Sequence, residues 1–243
     1  MKKKEIENSL PLANKVYNQL KKDIIELRKR PEEIILIGRV AEQMHVSRTP
    51  VKEALIQLKQ EGLLVETSGG KLQVASLVFN DIREIFEIRQ GLEGIAASIA
   101  AERVTSNQLD KLEQSLVNMN SLLQSGDYNS FFEEDSNFHN LVIEIANNKR
   151  MKELISQLDA RLQRIRHLTL AIEKRLEKTV AEHTKVFECI SKNDPQGARD
   201  AIIHHISIAK NDLSKLFETY DDLFSLMKLY QANPKFFLTD VNI

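Results

Sequence analysis

Four polar residues in the second half of the chain occupy positions where helical periodicity predicts buried apolar side chains: Asp135, His139, His183 and His205. Asp135 and His139 are four residues apart, so both side chains project from one helix face. A carboxylate and three imidazoles on inward helix faces suit a divalent transition metal. Because a helical bundle can bring such side chains together, the pattern predicts a metal site, and the alternative is four ordinary hydrogen-bonded core residues.

Arg89 is a further polar residue on an apolar helix face. It shares that face with Ile85, Leu92 and Ala96, which predicts a guanidinium pointing into the bundle. A buried arginine needs an anionic partner. An Asp or Glu of the protein or the carboxylate of a ligand would serve equally well, because the guanidinium matches a carboxylate bidentately.

A helix in the first quarter of the chain combines an apolar face with basic residues on the opposite face. Arg48 and Lys52 are four residues apart and face solvent, with the hydroxyls of Ser47 and Thr49 beside them. Thr49 followed by Pro50 predicts an N-cap and a first helical residue. The free N–H groups of such a helix end suit a phosphate, and an arginine there can reach a guanine edge.

A hairpin signal follows this helix. Leu63–Glu66 and Leu72–Ala75 are short strand candidates around a turn that contains Gly69 and Gly70. The two glycines would let the backbone approach a duplex closely, and Lys71 can pair with a phosphate.

These residues must be positioned by two kinds of module. Residues 12–28, 39–44 and the helix that ends at Gly62 predict three helices before the hairpin. Helix after helix follows, over 81–102, 106–125, 127–147, 149–172, 174–192 and 195–230. The predicted fold is mainly α, with an N-terminal winged helix-turn-helix (residues 10–77) that carries a small β-hairpin wing, followed by an all-α antiparallel bundle (80–230).

Composition favours a soluble cytoplasmic protein with no membrane association. Hydrophobic residues make up 42% and charged residues 28%, and no stretch approaches the ~18 apolar residues of a membrane span. The single cysteine excludes an internal disulfide and fits a reducing compartment. Residues 1–78 hold 14 Lys and Arg against 10 Asp and Glu, a net +4, whereas the remainder is acidic, which favours nucleic-acid binding at the front.

The segment VSRTPVKEALIQLKQEGLL closely resembles the recognition-helix signature of GntR-family bacterial regulators. The resemblance implies that Arg48, Thr49 and Lys52 contact DNA, and that Ser68, Gly69 and Gly70 of the wing lie close to the minor groove. Lys52 departs from the usual arginine, which weakens bidentate reading of a base. The segment RKRPEEIILIGRVAEQM lacks the usual Pro-Gly turn, and Arg39 stands in there for a phosphate-binding arginine.

Residues 81–216 resemble the effector domain of the FadR-type (FCD) branch of this family. The resemblance is carried by IFEIRQGLEGIAASIAAER, EDSNFHNLVIEIANN and AEHTKVFECISKNDPQGARDAIIHHI. It implies an all-helical domain whose metal ligands map onto Asp135, His139, His183 and His205, with zinc expected first and nickel or manganese open. It also implies a small organic acid or sugar acid as effector, with its carboxylate meeting Arg89.

The sequence therefore predicts a ligand-responsive transcriptional repressor that binds double-stranded operator DNA as a homodimer, with no catalytic residue. A metal-dependent hydrolytic enzyme on a helical bundle is the rival from another class, because a metal with an open position can activate water. That reading leaves the SRTPVKEAL helix and the wing unexplained. In a third reading, the helical domain serves dimerisation alone.

Overall fold

The computed structural model of the chain describes residues 11–172 and 174–219. They form two compact units, of which the first comprises the residues up to Leu77 together with 157–164, and the second comprises 78–156 and the residues from Ile165 onward. These units are defined by contacts within the chain, so the predicted domain boundary at residues 77–80 stays a prediction. Residues 220–230 of the last predicted helix, and the tail 231–243 for which no structure was predicted, lie outside the described ranges.

The first unit begins with three helices, α1 (Leu12–Ile25), α2 (Ile37–Gln43) and α3 (Arg48–Gln60). Each is amphipathic, so that burial of its apolar face stabilises the unit at about 25 cal/mol per Å² of apolar surface. Their shared core consists of Val16, Leu20, Ile24, Val40, Ala41, Val51, Ala54, Leu55 and Leu58. Ala160, far along the chain, completes this core.

The predicted start of α3 was wrong by two residues. Ser47 is the N-cap in an extended conformation, and Arg48 is the first helical residue, so Pro50 is the third. This costs nothing, because the first N–H groups of a helix have no intrahelical partner. The predicted end is confirmed: Gly62 adopts a left-handed conformation with φ 70°, which favours glycine.

Two short strands, β1 (Leu64–Glu66) and β2 (Leu72–Val74), form the antiparallel wing. Gly70 has φ 72° in the turn, and Thr67 N donates to Lys71 O at 2.8 Å to close it. A third segment, which sequence analysis missed, adds to the wing: Ile35 N donates to Leu72 O at 2.9 Å.

The second unit is all-helical. Its helices are α4 (Phe79–Arg103), α5 (Ser106–Ser125), α6 (Tyr128–Ala146), α7 (Lys149–Ser156), α8 (Asp159–Leu168), a 3₁₀ turn (Thr169–Ala171), α9 (Arg175–Ser191) and α10 (Pro195–Thr219). Helix α8 begins among the residues grouped with the first unit. The central helix α4 packs against α10, α6 and α9. Gly94 lets α4 lie close to α10, since a Cβ there would lie 2.9 Å from Ile203 Cδ1.

The prediction of one helix over residues 149–172 was wrong. The chain breaks at Gln157 and Leu158 and again at the 3₁₀ turn. Neither break contains Gly or Pro, the residues that most often end a helix, and the apolar periodicity continues through both. The sequence therefore gives no local signal that the helix ends there. Among the described residues, no helix is both long and apolar enough to cross a membrane.

Candidate DNA-reading helix and candidate metal centre

The residues predicted to contact DNA are all exposed: Arg39, Ser47, Arg48, Thr49, Lys52, Ser68, Gly69, Gly70 and Lys71. Five of them lie in α2 or at the start of α3, and four lie in the turn of the wing. The buried face of α3 turns Arg48 and Lys52 toward solvent at the helix end that carries free N–H groups. The arrangement provides a basic, accessible surface, and the contact of each residue with DNA stays a prediction.

The side chain of Arg48 lies beside the start of α2. A Cβ added to Gly38 would lie 4.0 Å from Arg48 Nη2, in ordinary van der Waals contact. Arg39 is the third residue of α2 and is exposed. Helices α2 and α3 therefore present both arginines close to their N-terminal ends.

The second unit encloses the four residues predicted as metal ligands. Asp135 and His139 come from α6, His183 from α9 and His205 from α10, and all four are buried. One candidate ligand atom from each residue lies within 4.8 Å of the other three. His139 Nε2 and His183 Nε2 are 3.2 Å apart, and His183 Nε2 lies 3.7 Å from Asp135 Oδ1. The structure therefore brings together the four residues that the sequence predicted to converge.

Asp135 divides its two oxygens between two partners. Oδ2 lies 2.6 Å from Arg166 Nε, and Oδ1 faces the histidines. Burial alone would raise the pKa of Asp135, but Arg166 and His183 hold it well below its usual value. The residue is therefore a carboxylate with one oxygen directed at the cluster.

Two of the histidines are uncharged. Burial lowers the pKa of His183 well below its usual value, and His205 lowers it further. Burial also lowers the pKa of His205, with His139 as the next cause. A metal ligand must be deprotonated, so neutral imidazoles are ready to coordinate. Ligand atoms of a tetrahedral zinc site are about 3.4 Å apart, close to the separation of the two Nε2 atoms. The donor set fits a divalent cation.

Arg89 is buried and has a protein partner. Its Nε donates to Glu93 Oε1 at 2.5 Å, which realises one of the two alternatives left open by the sequence. Its Nη2 lies 3.3 Å from His139 Nε2, at the edge of the cluster. Burial would raise the pKa of Glu93, but Arg89 and His139 hold it well below its usual value. The guanidinium thus binds the Glu93 carboxylate through one nitrogen and places another nitrogen beside the candidate metal centre.

Sequence analysis missed four charged residues around the cluster: Glu93, Arg166, Arg175 and Glu182. Glu93 could have been found, because it follows Arg89 by four residues on the same helix face. Glu182 adjoins His183 in sequence, and Arg175 is 2% exposed at the start of α9. For Arg166, Arg175 and Glu182, periodicity carried no signal of a shared site.

Three helices and a two-stranded wing form a winged helix-turn-helix, and an all-helical unit with an enclosed polar cluster accompanies it. This combination defines a two-part DNA-binding regulator. Residues 12–74 match the family described as "Bacterial regulatory proteins, gntR family", and residues 84–207 match the FCD domain. The chain belongs to the GntR family and carries an FCD domain. It is a DNA-binding transcriptional regulator and not an enzyme.

Relatives of known name and structure agree with this membership. The chain is 27% identical over 215 residues to the "HTH-type transcriptional repressor RspR" of Escherichia coli (strain K12), which covers 88% of this chain and 94% of the relative. It is 26% identical to the "Uncharacterized HTH-type transcriptional regulator YdhC" of Bacillus subtilis (strain 168), covering 84% and 91%. The fold is similar to that of E. coli McbR/YncC, with a TM-score of 0.71, 22% identity and coverage of 87% and 99%.

Proposed function

We propose that the protein is a cytoplasmic, homodimeric repressor whose FCD domain binds a divalent metal and a small carboxylate effector. The metal ligands are Asp135, His139, His183 and His205, with zinc expected first and nickel or manganese as alternatives. When bound, such a cation supplies a Lewis-acidic position to which a carboxylate can bond. The observation that carries the proposal is the convergence of four buried donor atoms within 4.8 Å.

The effector part of the proposal rests on the position of Arg89. Its Nη2 lies 3.3 Å from His139 Nε2, so an organic acid or sugar acid held at the centre would meet a guanidinium. Glu93 already occupies Arg89 Nε, which leaves a carboxylate effector to share the guanidinium with Glu93. Homodimerisation follows from how winged helices read DNA, since two copies bind the two half-sites of a palindrome.

The metal part is tested with two neighbouring histidines. His205 is buried in the cluster, whereas His204 is exposed on the same helix, so His205→Ala removes a candidate ligand and His204→Ala is its control. Mass spectrometry of metal content after dialysis against Zn²⁺ should give one zinc per chain for the wild type and for His204→Ala, and far less for His205→Ala. Equal zinc content in the two variants, or none in the wild type, would refute the metal site.

The regulatory part is tested by passing sheared genomic DNA of the source organism over the purified protein and sequencing what is retained. We expect a palindromic motif beside a transport or catabolic operon, and the neighbouring genes then nominate acids for an effector screen. Light scattering on the free protein and on its complex with one such site should give two chains. Retention without a motif would contradict specific operator reading.

A further inference from the structure

A buried arginine–glutamate pair stands behind His139. Arg89 Nε donates to Glu93 Oε1 at 2.5 Å, and the other carboxylate oxygen, Oε2, lies 2.7 Å from His139 Nδ1. The ring N–H is imperfectly aligned with that oxygen, but the two side chains are at most 5% exposed, so no bulk water competes for the proton. Glu93 is thus the nearest acceptor for a proton on Nδ1.

A second pair of the same kind stands behind His205. Arg175 donates to both oxygens of Glu182, at 3.0 and 2.9 Å, and Glu182 Oε2 lies 2.6 Å from His205 Nδ1. The side chain of Arg175 is 1% exposed and that of Glu182 is 12% exposed. Arg175 Nε also lies 3.5 Å from Asp212. The two pairs differ in the spacing of arginine and glutamate along the helix. In both, however, the guanidinium contacts a carboxylate, and that carboxylate lies beside the Nδ1 atom of a histidine.

A carboxylate at one ring nitrogen determines what the other can do. A neutral imidazole carries one proton, and an ionised carboxylate can accept a hydrogen bond but cannot donate one. In the neutral form of His139 or His205, this geometry favours the proton on Nδ1, so that Nε2 keeps its lone pair. His139 Nε2 lies 3.2 Å from His183 Nε2 inside the cluster, and in His205 the nitrogen left free of Glu182 is Nε2, so each ring keeps a lone pair with which to bind a metal.

His183 provides an internal contrast. Within the described ranges neither His183 Nδ1 nor His139 Nδ1 meets the geometry of a hydrogen bond, but only beside His139 Nδ1 does a carboxylate oxygen lie 2.7 Å away. The ring of His183 is held instead by stacking on Phe138, with centroids 4.5 Å apart and planes 14° from parallel. Packing fixes the position of this ring, but no protein acceptor selects which nitrogen carries the proton.

We propose that Glu93 and Glu182 are positioning residues that fix the Nδ1–H tautomer of His139 and His205, with Arg89 and Arg175 holding the two carboxylates in place. The consequence for metal binding rests on the proposed function, whereas the tautomers belong to the metal-free protein as well. Partners of this kind are worth 10- to 100-fold in metal affinity at comparable sites.

The first experiment reads the tautomers directly, by long-range ¹H–¹⁵N NMR of histidine-labelled protein treated with a chelator. We expect His139 and His205 to show a protonated Nδ1 and an unprotonated Nε2. Glu182→Gln should shift His205 toward a mixture of tautomers and leave His139 unchanged. Glu188→Gln, which changes a half-exposed glutamate on the same helix, is the matched control. Protonation of His205 at Nε2 in the wild type would overturn the proposal.

The second experiment measures affinity for Zn²⁺ by competition with a chromophoric chelator, and the visible spectrum with Co²⁺ in its place. Glu182→Gln should weaken Zn²⁺ binding about 10- to 100-fold relative to Glu188→Gln. Because Glu182→Gln leaves Arg175 without a full partner, and Arg175 also pairs with Asp212, the triple variant Arg175→Met/Glu182→Leu/Asp212→Asn removes the three charges together and should fold. We expect the same weakening from it, and affinity within twofold of the wild type in both variants would overturn the proposal.

The two experiments separate this inference from the proposed function. If the wild type binds neither Zn²⁺ nor Co²⁺, the metal part of the proposed function fails, and the NMR spectra of the metal-free protein still decide the tautomers. If Zn²⁺ binds but the tautomers do not depend on Glu182, the proposed function stands and the positioning role is wrong.

Discussion

The residues predicted to contact DNA and the residues predicted to bind a metal are placed in opposite ways in the two units. The first unit has an apolar core, and the side chains predicted to contact DNA lie on its surface, where each can be changed without uncovering a partner. The second unit buries Arg89, Glu93, Asp135 and Arg175 together with the three histidines of the candidate metal centre. A surface site is assembled from nearly independent residues, whereas a buried site is a network in which each charge depends on its neighbours.

The largest effect should come from removing a buried cation. Arg175→Ala leaves Glu182 and Asp212 without their guanidinium, and breaking a buried pair costs about 3–5 kcal/mol of the free energy of unfolding. Arg28 in the first unit also pairs with two carboxylates, but its side chain is 41% exposed, so Arg28→Ala should cost at most about 1 kcal/mol. Urea denaturation measures both, and equal losses would abolish the contrast.

Acidification should weaken the second unit in a defined direction. The folded-state pKa values of His183 and His205 are lowered, so below about pH 6.5 the unfolded chain binds more protons than the folded one. With metal removed, the free energy of unfolding should fall with pH by up to about 1.4 kcal/mol per unit for each histidine. The lowered pKa values of Asp135 and Glu93 extend the loss below about pH 4. A flat profile between pH 7.5 and 5.5 would contradict the burial of neutral histidines.

Arg48→Ala should separate DNA binding from folding. Loss of an arginine that reads a base costs about 1–3 kcal/mol of binding per half-site, measured by gel shift on the motif recovered from genomic DNA. The free energy of unfolding should change by less than about 0.5 kcal/mol, because the side chain is exposed. Arg150, which is 87% exposed in the second unit, supplies the control Arg150→Ala. An unchanged affinity of Arg48→Ala for this DNA would show that Arg48 does not contact it.

The smallest effect is expected at the tip of the wing. Lys71→Ala should weaken binding about equally on all DNA sequences and reduce the salt dependence of affinity by about one ion per half-site. Lys59→Ala is the matched control, because Lys59 already pairs with Glu66 at 2.5 Å. A change in sequence preference with Lys71→Ala would show that the wing reads bases and not phosphates.

Much of the fold was predictable because its signals are local. Gly62 ends α3 as predicted, and the turn containing Gly69 and Gly70 joins the two strands of the wing. The break at Gln157 was not predictable, since apolar periodicity continues through it. The pairing of Ile35 with Leu72 was missed for a related reason: strand pairing across 37 residues depends on tertiary packing.

The candidate site divides along the same line. Asp135 and His139 could be identified from the sequence because they are polar residues on an apolar helix face, and the same is true of His183 and His205. The carboxylates behind the rings do not, because Glu182 is an ordinary polar residue at the edge of a helix face until Arg175 and His205 are seen around it. Periodicity reveals which side chains face inward, but not which of them meet.

Residues 157–164 belong to the first unit although the chain has already passed through α4 to α7 before reaching them. Ala160 fills part of the front core, and Arg164 Nη1 donates to Ala75 O at 2.6 Å. Burial lowers the pKa of Arg164 to about 10. A gene fragment that stops at Leu77 therefore encodes an incomplete module, and grafting this DNA reader onto another sensor by a single junction would leave part of it behind.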